Sequence, residues 1–308
     1  MKMKKLLKIS LCIIIICIIF LTGITFYVGN YLYDYTLNPA SHHTLFENVP
    51  SPKISDSTQW LDTHSVNVSI QSHDDLFLHA SYIEQDTSVY VIMVHGYRGT
   101  GASIISPIKR FYKQGYNLLI PDLRGHGQSE GDYIGMGWDD RYDIMGWIDY
   151  IIAKDKKAQI ILYGVSMGGA TVMDVAGEDL PQQVKAIIED CGYTSVWDVF
   201  QYHIPMEKWQ SEIALHMASV VTRIRAGYAL EDVSPLKQVQ KSQVPILFIH
   251  GSEDDFVPCE MVNTLYQSAT CPKEKLIIEG AGHAQSCSTD SKTYYSTIFQ
   301  FIERYTKK

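Results

Sequence analysis

Two short runs, residues 89–94 and 160–162, are apolar at every position, with no polar side chain alternating along them. A strand wetted on one face alternates apolar and polar residues, so a strand apolar on both faces has to be covered on both. That restricts the chain to a mostly parallel sheet with helices packed on each side. Further β-rich runs fall at 64–70, 76–84, 117–121, 159–163, 184–189, 245–250 and 274–279. Segments with helical spacing lie at 102–114, 138–153, 167–177, 259–269 and 290–304. The alternation predicts a doubly wound, mostly parallel, eight-stranded α/β sheet. Ligands of such sheets bind beyond the carboxyl ends of the strands, so the residues directly after each strand decide the function. Residues 192–240 interrupt the rhythm and are rich in large side chains (Trp197, Tyr202, Met206, Trp209, Met217), which predicts a helical cap inserted over a site.

The first thirty residues differ from the rest. Lys2, Lys4, Lys5 and Lys8 precede an uncharged run over 11–28, which as a helix spans about 27 Å, close to the hydrocarbon thickness of a bilayer. The alternative is a cleaved signal peptide, but its apolar core is shorter, and Phe26, Tyr27 and Val28 stand where small residues should mark the cleavage site. Residues 1–30 are therefore read as a single-pass transmembrane anchor, 31–62 (with Pro39, Pro50 and Pro52) as a linker, and 63–308 as the catalytic domain. The lysines keep the N-terminus cytoplasmic and put the domain outside the cell, with Tyr27, Tyr31, Tyr33 and Tyr35 suited to the outer interface. A net charge of −8 argues against nucleic acid as a partner. Cys191, Cys259, Cys271 and Cys287 have no metal-like spacing. An exported domain could oxidise them, and spacing alone leaves disulfides and free thiols both open.

The chemistry is concentrated at strand ends. After 159–163 comes Gly164-Val165-Ser166-Met167-Gly168-Gly169, then a helical run. Glycines on both sides of a serine between strand and helix permit a turn too tight for side chains. The turn exposes the hydroxyl, and the helix N-terminus beside it favours an oxyanion. A serine hydroxyl needs a base to take its proton. Strand 245–250 leads into His250-Gly251-Ser252-Glu253-Asp254-Asp255, and 274–279 into Gly280-Ala281-Gly282-His283, so an acid and then a histidine follow in the expected order. Ser166 is read as nucleophile, His283 as base and Asp254 as the acid orienting it, with Glu253 and Asp255 as neighbouring candidates. The backbone amides of Tyr97, in His95-Gly96-Tyr97-Arg98-Gly99, and of Met167 would form the oxyanion hole. His250 and His126 read as packing residues. Arg223 and Arg225 could meet an acidic substrate, although solvated arginines are commoner.

These motifs, together with Asp122-Leu123-Arg124-Gly125-His126-Gly127-Gln128-Ser129, resemble the α/β-hydrolase superfamily over residues 65–306. Within it the chain looks like bacterial serine esterases of the cinnamoyl-esterase-like branch, including membrane-anchored members. The resemblance implies an α/β-hydrolase fold and hydrolysis of small-molecule carboxylic esters through an acyl-enzyme. It requires neither metal nor organic cofactor. A serine at the elbow speaks against the dehalogenase and epoxide-hydrolase branches, which carry aspartate there. The same machinery would serve a peptidase or acyltransferase, and a non-catalytic binding protein on this fold is a separate alternative.

Overall fold

The computed structural model describes residues 2–41 and 55–306. In chain order the elements are α1 (Lys2–Thr36), α2 (Ser55–His64), β1 (Val66–Gln71), β2 (Phe77–Ile83), β3 (Val89–Val94), α3 (Ile105–Lys113), β4 (Asn117–Pro121), α4 (Asp140–Lys154), β5 (Gln159–Val165), α5 (Met167–Val175), β6 (Val184–Asp190), α6 (Val196–His203), α7 (Lys208–Arg225), α8 (Pro235–Val239), β7 (Ile246–Gly251), α9 (Glu260–Ser268), β8 (Lys273–Ile278), α10 (Ser286–Thr289) and α11 (Ser291–Tyr305). The eight strands form one sheet in the order β1-β2-β4-β3-β5-β6-β7-β8. Only β2 is antiparallel to its neighbours; from β4 to β8 every pairing is parallel.

The runs without alternation occupy the middle of this sheet, where β3, β5 and β7 are buried at every position. Their side chains divide between two cores. Tyr90, Ile92 and Val94 of β3 join Ile144 and Trp147 of α4 on one face, whereas Val91 and Met93 join Phe111 of α3 and Ile298 of α11 on the other. The expected doubly wound sheet is therefore present, and its strands end within a residue or two of the predicted limits. Between β6 and β7 lies the expected helical insertion, consisting of α6, α7 and α8. All six cysteines are free thiols.

The region expected to be a linker differs from that reading. α1 does not stop near residue 30 but continues to Thr36, and Ser55–His64 is helical; residues 42–54, with Pro50 and Pro52, lie outside the described residues. The physical reason is packing. Gly29 has no Cβ and lies against the Met217 carbonyl and Val221 of α7, an approach any side chain would block. One turn on, Tyr33 is buried beneath the Arg225 guanidinium, 3.9 Å from the ring centroid. Arg225 also donates to Asp34 Oδ1 at 2.8 Å and Asn30 Oδ1 at 3.1 Å. Leu37 is fully buried, and its carbonyl accepts from the Ile134 amide at 2.7 Å. The end of α1 is thus part of the folded body. Arg225 serves this junction, and Arg223 pairs with Asp232 at 3.4 Å on the surface.

One buried charge fixes the loop after β4. The Arg124 guanidinium has no exposed surface and grips both Asp143 oxygens at 2.8 Å, with Asp74 Oδ2 at 2.9 Å and the Tyr133 hydroxyl at 3.0 Å. Asp143 is as deeply buried, so removal of the cation leaves its charge without compensation. Arg124→Met is expected to lower stability by about 3–5 kcal/mol, read as a shift of the urea unfolding midpoint. A loss below about 1 kcal/mol, the range of an exposed pair, would show that Asp143 finds another partner.

Candidate active site

β5 ends at Val165, and α5 begins at Met167, leaving a single residue to turn the chain. Ser166 makes that turn with φ 58° and ψ −121°, a conformation costly for any residue with a Cβ. The surroundings impose it. A Cβ on Gly164 would strike the Gly168 carbonyl, and one on Gly168 would strike the Val94 carbonyl, so the strand end, the helix start and β3 close on one another at backbone distance. The Ser166 amide is tied to the Asp190 carbonyl at 2.8 Å. The hydroxyl is left pointing outward at the carboxyl edge of the sheet.

There Ser166 Oγ lies 2.8 Å from His283 Nε2, and His283 Nδ1 lies 2.8 Å from Asp254 Oδ2. A carboxylate only accepts, so Nδ1 carries the hydrogen and Nε2 is the free base facing the hydroxyl. The three residues come from the ends of β5, β7 and β8. Asp254 is turned inward by the Phe256 and Val257 amides, which donate to its other oxygen at 2.9 and 2.8 Å. Burial would raise this carboxyl, but hydrogen bonds from His250, His283 and the Val257 amide outweigh it and hold the group well below the usual carboxylate range. Glu253 and Asp255 make no such contacts.

Tyr97 and Met167 also fall beside Ser166. Gly96 approaches so closely that a Cβ there would sit 3.3 Å from that of Ser166, and Met167 opens α5. Two buried histidines shape the Tyr97 turn. His95 donates through Nδ1 to the Gly96 carbonyl at 2.8 Å and accepts from the Leu123 amide at 3.1 Å. His126 donates through Nδ1 to the Arg124 carbonyl at 2.9 Å and accepts from the Arg98 amide at 3.0 Å. Each needs one bare nitrogen, which a protonated ring lacks. Burial, reinforced in His95 by His126, pushes His95 down to about 3, and burial pushes His126 down to about 4. Both stay neutral where the site would work.

Several contacts were not visible in the motifs. His250, read as a packing residue, donates to the Val257 carbonyl at 2.8 Å and places the same nitrogen 3.4 Å from Asp254 Oδ2. Phe256 lays its ring 4.6 Å from that of His283. Its carbonyl receives a 2.9 Å hydrogen bond from His203 of α6, which brings the insertion to the edge of the site. The Tyr97 phenol donates to the Thr36 carbonyl at 2.6 Å. Arg98 adds hydrogen bonds to the carbonyls of Ser41 at 2.5 Å and Asn38 at 3.2 Å. The turn beside Ser166 is therefore held by the chain leaving α1. Only the His-Gly and Gly-His-Gly motifs hinted at any of this.

A parallel sheet with a reverse second strand, a strained serine after the fifth, and an acid and a histidine after the seventh and eighth define a hydrolase fold. The family described as serine aminopeptidase, S33, matches residues 85–229. The Bacillus subtilis protein YqkD, itself uncharacterised, is 30% identical over 220 residues, covering 71% of this chain and 72% of that protein. The alpha/beta hydrolase domain-containing protein WAV2 of Arabidopsis thaliana is 24% identical over 285 residues, covering 88% and 83%. An esterase of Pyrococcus furiosus superposes with a TM-score of 0.66 at 20% identity, covering 81% of this chain and 94% of its own. An acylaminoacyl peptidase of Pyrococcus horikoshii superposes with a TM-score of 0.59 at 18% identity, covering 79% of this chain and 42% of its own. The chain belongs to the α/β-hydrolase superfamily.

Beneath the site, Glu189 is wholly buried. One oxygen accepts from the Gly192 amide at 2.9 Å, and the other has no partner. Burial pushes its carboxyl up to about 8, against the opposing pull of His250 and the Gly192 amide. Between the ordinary glutamate value and about 8 the folded chain therefore holds a proton that the unfolded chain has released. Stability contributed by this group is complete below that window and is lost as pH rises through it. Glu189→Gln cannot titrate. Its urea midpoint is expected to decline less between pH 5 and pH 8.5 than that of the parent; equal slopes would show that Glu189 is ionised throughout.

Proposed function

We propose that this chain is a serine hydrolase that cleaves carboxylic esters of small molecules through an acyl-enzyme. The observation that carries the reading is the unbroken relay from Ser166 Oγ through His283 to Asp254, with both hydrogen bonds at 2.8 Å. As the Ser166 oxygen attacks the carbonyl carbon, its proton passes to His283 Nε2. The resulting imidazolium lies against the Asp254 carboxylate. The carbonyl oxygen becomes an oxyanion between the amides of Tyr97 and Met167. When the tetrahedral intermediate collapses, the C–O bond to the alcohol breaks and His283 returns the proton to the leaving oxygen. Water then repeats the cycle on the acylated serine and releases the acid.

Ester rather than amide substrates are favoured by the likeness to the bacterial-esterase motifs. The match to the serine aminopeptidase family and the likeness to an acylaminoacyl peptidase give the peptidase reading its support. No cofactor, metal or nucleic acid enters the proposal. α1 is long and apolar enough to cross a membrane. With the lysines at its start, this supports a single-pass anchor in the cell membrane, N-terminus cytoplasmic and catalytic body outside.

The full chain, labelled with a fluorophosphonate and assayed with p-nitrophenyl esters and aminoacyl p-nitroanilides, tests the reading. Ser166→Ala should lose the label and turn over esters about 10⁴-fold or more slowly with an unchanged urea midpoint. Faster turnover of anilides than of esters would make it a peptidase, and absence of labelling in folded protein would make it a binding protein. The grip of Arg98 on Asn38 and Ser41 adds a second expectation. Arg98→Ala keeps the backbone amide that His126 holds and the Tyr97 bond to Thr36, but removes the two ties to Asn38 and Ser41. Its kcat should fall about tenfold, less than the 10²–10³ lost with a whole oxyanion donor, while KM stays nearly constant. A change confined to KM would remove the Tyr97 turn from the oxyanion hole.

A further inference from the structure

α7 has two covered sides and one bare one. Ser211, Leu215, Ala218 and Thr222 face the body, and Met217, Val221 and Arg225 face α1. Next to the α1 side, Trp209, Ile213, Val220 and Ile224 recur at helical spacing and are 63%, 48%, 46% and 63% exposed. Met206 and Tyr202, 58% and 54% exposed, continue the stripe toward α6. On the flank of the stripe away from α1, His216 pairs with Glu231 and Arg223 with Asp232. An apolar stripe this long on a water-exposed helix is a surface meant for contact.

We infer that the stripe of α7 rests in the outer face of the bilayer that α1 crosses, and that the ester is drawn from that bilayer as an apolar-chain molecule. The two helices fix the depth. Met217 and Val221 meet Gly29, and Arg225 meets Asn30 and Asp34, so α7 and α1 run in the same direction. Trp209 precedes Met217 by eight residues, about 12 Å at a helical rise. It therefore comes level with residues of α1 well inside the apolar run that ends at Val28. Water cannot cover Trp209 and Ile213 at the level where α1 is in lipid. Val220, about 16 Å further along α7 than Trp209, reaches the headgroup layer. The immersed edge also leads to the site, because α6 ends in His203, whose partner Phe256 lies against His283. The substrate assignment rests on the hydrolase reading above; the contact with lipid does not.

The two parts are tested separately on the full chain in phosphatidylcholine vesicles. With lipids brominated at the sixth and seventh acyl carbons, tryptophan emission of the parent should be quenched, and most of that quenching should disappear in Trp209→Phe. Unchanged quenching in Trp209→Phe, or none in the parent, would overturn the lipid contact. Self-association on cross-linking, without quenching, would assign the stripe to a second copy. Ile213→Glu should slow turnover of a long-chain ester dissolved in the vesicles about tenfold, as a charge at the lipid surface disfavours seating. It should leave p-nitrophenyl acetate within about twofold of the parent. Equal loss on both esters would overturn the substrate assignment while leaving the quenching result intact, and labelling of Ser166 by fluorophosphonate reports the hydrolase reading independently.

Discussion

The backbone of Ser166 sits in a conformation that costs about 1–3 kcal/mol, and it stays there because β3, β5 and α5 meet without side chains between them. Gly164 faces Gly168, and Gly168 faces the end of β3, so relaxation of the turn would drive carbonyl groups apart and open the centre of the sheet. The fully buried strands on either side prevent this. The same crossing sets the start of α5, the place of Gly96 and the direction of the Ser166 hydroxyl. The chemistry proposed here is thus a consequence of parallel strands so well covered that they can hold one residue under strain.

Charge is distributed around this point by whether a group has partners. Asp254 is buried but receives two amides and two imidazoles, and it remains ionised. Glu189, equally buried one strand away, has a single amide and is held neutral near physiological pH. His95 and His126 are neutral because each must keep a bare nitrogen for an amide. A neutral frame around one stable carboxylate suits a site in which imidazolium and oxyanion form together, since it adds no competing charge.

The strands and the three proposed catalytic residues were legible because their signals are local. A run buried on both faces has its own pattern, and a strand end followed by Gly-x-Ser-x-Gly, by Asp254 or by His283 is a short stretch of sequence. What was not legible depends on neighbours far away. α1 was expected to end near residue 30 because its apolar run ends at Val28; it continues because Tyr33 and Leu37 find burial against residues more than ninety positions downstream. His250 gave no hint of its closeness to Asp254, because the tight turn after β7 that folds the acid back carries no distinctive pattern. The partner of the Tyr97 phenol is a backbone carbonyl, which no sequence pattern marks.

The exit from α1 joins these features. A tether needs only to hold the body near a membrane, and flexible chain would do so with no contacts. Here Thr36, Asn38 and Ser41 offer carbonyls to Tyr97 and Arg98, Leu37 is enclosed, and Gly29 is pressed against α7. Each contact removes freedom from the junction and ties the helix to the insertion and to the turn beside Ser166. With α1 as the proposed anchor, a rigid junction fixes which side of the body meets the bilayer. In the proposed orientation the surface brought to the membrane includes the bare apolar stripe of α7, whose neighbour α6 ends in His203, the partner of the Phe256 carbonyl beside His283.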